Sequence, residues 1–142
     1  MVYNKSGKQN LIFTGDTVFL NEVGRPDLAV KSNLTAKDLA ELLFESLQKV
    51  KKVNDDVRIY PGHGSGSACG KSIGSGDFCE VGTQKKNNYG LKATDKKTFV
   101  DQVLNEMPSP PSYFAYNARL NKFDKFDYEE AFKKSNTKLS ID

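Results

Sequence analysis

Residues 14–28 read TGDTVFLNEVGRPDL: a polar turn holding Asp16, the apolar run Val18-Phe19-Leu20, then a second turn, Gly24-Arg25-Pro26-Asp27. The run just before it, Leu11-Ile12-Phe13, has the β-branched and aromatic character of a strand, so Asp16 is predicted at a strand's end, where loops carry function. Further upstream, Val2 and Tyr3 precede the polar stretch Asn4-Lys5-Ser6-Gly7-Lys8, and Gly7 supplies the positive φ that a hairpin turn requires. Downstream, Thr35 and Asp38 have the spacing of a capping box, and Leu39, Leu42, Leu43, Leu47 and Val50 recur at helical intervals as an apolar stripe. Val57-Arg58-Ile59-Tyr60 then reads as a short strand stopped by Pro61-Gly62, which delivers His63 to a second strand end. The predicted order is strand, loop acid, helix, strand, loop histidine.

His63 is the chain's single histidine. It opens a segment, 64–82, rich in glycine and serine and holding both cysteines, Cys69 and Cys79. A stretch so polar and so long is expected to wrap a site or ligand, the alternative being a plain surface loop. Thr94 with Lys97 predicts the start of a second helix whose stripe is Phe99, Val100, Val103, Leu104 and Met107, ended by Pro108-Ser109-Pro110-Pro111. Tyr113, Phe114, Tyr116 and Leu120 suggest a short packing helix. From Lys122 the text alternates charge with aromatics and reads as a linker, so the expected division is 1–122 and 123–142.

Length and composition bound the class. At 142 residues and 15.8 kDa the chain suits one domain. Hydrophobic residues at 37%, charged residues at 27% and a mean hydropathy of −0.58 place it at the polar end of folded proteins. The formal net charge of +3 is scattered rather than gathered into a stripe, which argues against a nucleic-acid partner. No apolar run reaches the roughly 18 residues of a membrane span. Two cysteines and no secretory leader make a disulfide framework unexpected and favour a reducing compartment, cytoplasm or mitochondrial matrix, over secretion.

Taken together, TGDTVFLNEVGRPDL (14–28) and YPGHGSGSACGKSIG (60–74) resemble the second half of a metallo-β-lactamase-fold enzyme, in the branch that holds glyoxalase II, the persulfide dioxygenases and the fusions of that domain to a rhodanese. KKNNYGL (85–91) and PSPPSYFAYNARLNK (108–122) are similar to the persulfide dioxygenase and rhodanese-fusion members, and the last segment to the approach into a rhodanese domain. The fold class this implies is α/β, the C-terminal half of an αββα sandwich. The resemblance implies that Asp16 is a ligand of zinc or iron, and that His63 matches a histidine that holds the second zinc in two-metal hydrolases but does not ligate iron in the mononuclear dioxygenases. Asp16 has a plainer reading as a turn cap, and His63 as a hydrogen-bonded loop histidine.

The family's His-x-His-x-Asp-His loop is absent from these residues. A catalytic zinc takes three protein ligands and an iron oxygenase site two histidines and a carboxylate, so Asp16 and His63 form an incomplete set. Two functions are therefore expected: a thiol-ester hydrolase or persulfide dioxygenase completed by another protein chain, or a catalytically inactive structural or interaction subunit. Half a sandwich also leaves a sheet face that another chain would cover. Substrate-side candidates are Arg25, Ser67, Cys69, Lys71, Asn88 and Tyr89. Arg25 is favoured as loop support through Asp27, Lys71 is a candidate for a glutathione carboxylate, and Cys69 would be reactive only with a lowered pKa.

Overall fold

A computed structural model of the chain describes residues 2–5, 7–29, 33–105, 107–123, 129 and 132–133. The hairpin forms as expected: β1 (Val2–Lys5) pairs antiparallel with β2 (Lys8–Gly15), and Gly7 takes φ 76° in the turn. A two-residue turn, in which Asn21 adopts φ 61°, joins β3 (Val18–Phe19) to β4 (Glu22–Val23). After a 3-10 turn at Pro26–Ala29 comes α1 (Ala36–Val50). Its capping box is reciprocal: Thr35 Oγ1 accepts from Asp38 N at 3.1 Å, and the Asp38 carboxylate accepts from Thr35 N at 2.8 Å.

Leaving α1, the chain enters β5 (Arg58–Pro61), which pairs parallel with β2, Ile12 opposite Ile59 and Gly15 opposite Pro61. A parallel neighbour needs a long crossover, and α1 supplies it. β6 (Cys79–Glu80) adds an antiparallel edge, giving the sheet order β1-β2-β5-β6. Three further helices follow in the first of two compact units: α2 (Val81–Asn87), α3 (Tyr89–Lys92) and α4 (Lys96–Leu104).

One face of the sheet is closed. Ile12 and Ile59 join Ala40, Phe44, Leu47 and Val50 of α1, Leu91 of α3, and Phe99, Val100 and Val103 of α4 in a single core. Phe44 and Tyr89 flank the Phe99 ring at centroid distances of 5.6 and 6.4 Å. Residues that alternate with these point to the other face, and Phe13, Tyr60 and Phe78 make a row of rings there, spaced 5.8 and 5.5 Å, with the Arg58 guanidinium 5.0 Å from the Phe78 ring centre. Phe13 is 52% exposed and Phe78 46%.

Some predicted details move. Leu42 was expected in the α1 stripe, yet it is 55% exposed. The buried positions 40, 44 and 47 define the inner face, and at 100° per residue Leu42 lies opposite them. The second helix begins one residue late, capped by Asp95, whose carboxylate accepts from Thr98 N at 2.7 Å, and it ends at Leu104 because Asn105 is already extended. β6, α2 and α3 were not foreseen. Each is short, and helices under about 12 residues owe their stability to packing rather than to propensity.

The second compact unit is Pro110–Asp142. It contains α5 (Tyr113–Phe123), the short helix suggested by the aromatic spacing. Most of 123–142, read as a linker toward a rhodanese-like domain, lies outside the described residues.

Candidate metal centre

Parallel pairing of β2 and β5 puts their C-terminal ends side by side, the position where open α/β sheets bind ligands. Asp16 follows the last residue of β2 and His63 lies two residues beyond β5; Gly62 N donates to Gly15 O at 3.0 Å and ties the two ends together. His63 Nε2 stands 3.2 Å from Asp16 Oδ1, with the side chains 44% and 61% exposed. The Phe19 ring, fully buried, backs the imidazole at a centroid distance of 6.1 Å.

Close approach explains two of the surrounding glycines. A Cβ on Gly24 would lie 1.8 Å from the Asp16 carbonyl oxygen, and one on Gly62 2.8 Å from Asp16 Oδ1. Neither position admits a side chain without moving the acid. Beside Asp16 an open pocket of about 280 Å³ is lined by Gly24, Arg25, Leu39, Leu42 and Leu43, which gives the misplaced Leu42 its surroundings.

Cys69 joins the pair. The carboxylate oxygen of Asp16, the imidazole nitrogen of His63 and the Cys69 sulfur all lie within 4.8 Å of one another. Zinc bonds of about 2.1 Å in a tetrahedron set neighbouring nitrogen and oxygen ligands about 3.4 Å apart, so the Asp16–His63 spacing suits donors of one ion. The chemistry of the set, carboxylate, imidazole and thiol, fits zinc and the borderline transition metals better than magnesium or calcium.

The other candidates bond to the protein itself. Arg25 has a side chain only 2% exposed; it holds both Asp27 oxygens, at 3.1 and 2.7 Å, and donates also to the carbonyls of Ala68 and Pro108. With its donors so engaged, the Arg25 guanidinium ties its own turn to the carbonyls of Ala68 and Pro108. Lys71 Nζ donates to the carbonyls of Gln102 and Asn105 at the end of α4, which uses two of the three N–H donors of its ammonium. Ser67 Oγ accepts from Cys69 N at 3.2 Å, a loop-internal bond. Asn88 is fully buried: its amide donates to the carbonyls of Phe19 and Glu22 at 3.3 and 2.8 Å and accepts from Gly90 N at 3.0 Å, which locks α3 onto the β3–β4 turn. Tyr89 is half-buried, and burial first, then the charge and hydrogen bond of Glu22, pushes its phenol well above the usual range.

Glu22 was not among the predicted residues, yet it organises this region. It is 4% exposed, and its carboxylate accepts from Val23 N at 2.8 Å and Ser72 N at 3.2 Å as well as from Tyr89. Gln84, also buried, clamps Asn21 through bonds of 2.8 and 3.2 Å. Nothing local marks either residue, because their partners are distant in the chain.

No family model matches the chain. Over 63 residues, 44% of its length, it is 43% identical to the probable polyketide biosynthesis zinc-dependent hydrolase PksB of Bacillus subtilis (strain 168), of which it covers 25%. A metallo-beta-lactamase from Staphylococcus aureus subsp. aureus COL superposes with a TM-score of 0.75 at 31% identity, over 85% of this chain and 34% of that one. ETHE1 from Myxococcus xanthus superposes with a TM-score of 0.60 at 21% identity, over 79% and 44%. The chain thus spans less than half the length of each of these relatives. Among the described residues no helix is long and apolar enough to cross a membrane.

Proposed function

The chain has the metallo-β-lactamase fold, and we propose that it forms one side of a metal-dependent site acting on a glutathione-type thiol derivative, as a thiol-ester hydrolase of the glyoxalase II kind or a persulfide dioxygenase. The carrying observation is the 3.2 Å approach of His63 Nε2 to Asp16 Oδ1 on adjacent, parallel strand ends. A bound zinc or iron would supply Lewis-acid activation of water or dioxygen there. The chain's own contribution is positional: Asp16 and His63 hold the ion, Phe19 and Gly62 fix their approach, and Arg25 and Glu22 pin the surrounding loops.

One histidine leaves the coordination incomplete for the reaction. In this reading the remaining ligands come from outside the 142 residues, and the face bearing the half-exposed rings of Phe13 and Phe78 is where further protein completes both sandwich and site. The thiol substrate class follows from the likeness of 60–74 and 85–91 to the sulfur-handling branch.

The same single histidine favours a second reading, an inactive subunit that keeps the fold for assembly. Isolating the chain with its native partners, then assaying thiol-ester hydrolysis, persulfide oxidation and metal content, separates the two. The first predicts activity and metal in the complex, both lost with Asp16→Asn. Absence of metal and activity in every state leaves the structural subunit.

A further inference from the structure

We infer that Cys69 is a third metal ligand, so that Asp16, His63 and Cys69 make a zinc site within this chain alone. The inference rests on the reading of Asp16 and His63 as ligands and adds to it a donor that reading does not use.

Cys69 lies in a glycine-rich segment, but its place is fixed from several sides. Arg25 N donates to Cys69 O at 3.2 Å, and the buried Arg25 guanidinium donates to the adjacent Ala68 O at 3.4 Å while anchored by Asp27. Gly70 is buried; Ser72 N is held by the Glu22 carboxylate at 3.2 Å, and Gly74 N by Leu20 O at 2.8 Å. The Gly24-Arg25 turn that packs on Asp16 is therefore the same turn that binds the cysteine's backbone. Acid and thiol are positioned by one structure, with the imidazole tied to the acid by the strand ends.

The three donor atoms lie within 4.8 Å of one another. A tetrahedral zinc asks for about 3.4–3.6 Å between ligand atoms, a difference within reach of side-chain rotation at these partly exposed positions. Three protein ligands leave a fourth position open, and the exposure of Asp16 and His63 turns it toward solvent. Thiolate with imidazole selects zinc and cobalt over magnesium and calcium. Cys79, the other free cysteine, belongs to β6 and is outside the trio, which makes it an internal control.

The test uses the full 142-residue chain, purified without metal, titrated with zinc against a chromophoric chelator and separately with cobalt(II). One equivalent of zinc is expected, with alkylation of Cys69 suppressed by zinc and that of Cys79 unchanged. Cobalt is expected to give a thiolate-to-metal charge-transfer band that Cys69→Ser abolishes, and zinc affinity should fall by more than the 10–100-fold typical of losing a supporting group. Should Cys69→Ser fail to fold, alkylation protection in the unaltered chain decides the matter. Zinc bound with no thiolate band and no protection of Cys69 overturns the inference and leaves Asp16 and His63 as ligands. No zinc on the chain alone, with metal present in its native complex, overturns it too. A cobalt–thiolate band that survives both Asp16→Asn and His63→Ala removes this inference and the reading beneath it together.

Discussion

The two faces of the four-stranded sheet have unlike fates. On one, Ile12 and Ile59 are buried under α1, α3 and α4; on the other, one residue along each strand, Phe13 and Tyr60 form a row of tilted rings that Phe78 extends. The strands are the same and only the side-chain parity differs. Stability is thus concentrated on the helical side, while on the other side the Phe13 and Phe78 rings are about half exposed. The candidate metal site sits at the C-terminal ends of β2 and β5.

This contrast can be broken by substitution. Phe99→Ala removes the ring between Phe44 and Tyr89 and is expected to cost about 3–5 kcal/mol in denaturant unfolding. A cost near that of a surface residue would abolish the distinction. Asn88→Ala strips the amide that ties α3 to the β3–β4 turn, with an expected loss of about 1–3 kcal/mol. Phe13→Ala on the open face should cost about 0.2–1 kcal/mol in the isolated chain, the scale of a cross-strand aromatic pair. The same change should weaken assembly with a covering partner, and a large loss of stability without a partner would mean that the face is already closed. The smallest effect belongs to neither face. Asp38 is held below the ordinary carboxylate range by the backbone and hydroxyl of Thr35. A depressed folded-state pKa gives stability that is present above the unfolded value, near 4, and is lost as pH falls through the folded one. Thr35→Ala should therefore flatten the acid limb of stability between those two values, measured by thermal unfolding across pH.

Much of this was legible in the residues. The capping box at Thr35 and Asp38, the Gly7 turn and the strands ending at Gly15 and Pro61 are local signals, set by propensity and spacing, and they reappear in the fold. Leu42 shows where periodicity fails: a helix with leucines at 39, 42, 43 and 47 has more apolar positions than its inner face accepts, and only packing chooses among them. Glu22, Gln84 and Asn88 were illegible as supports because each acts on segments far away in sequence. Cys69 was readable as a thiol in a loop, but its approach to Asp16 depends on the Arg25 backbone, a contact no spacing rule contains.

The pairing of β2 with β5 has a kinetic meaning. Asp16 and His63 become neighbours only after the chain has closed the whole crossover through α1, a non-local step that is entropically dear and slow beside hairpin or helix formation. A nascent or partly collapsed chain can own its turn and its helix while lacking any place for an ion. Were Asp16, His63 and Cys69 to bind metal as inferred, uptake of cobalt during refolding would act as a clock, ticking only once β5 has docked beside β2.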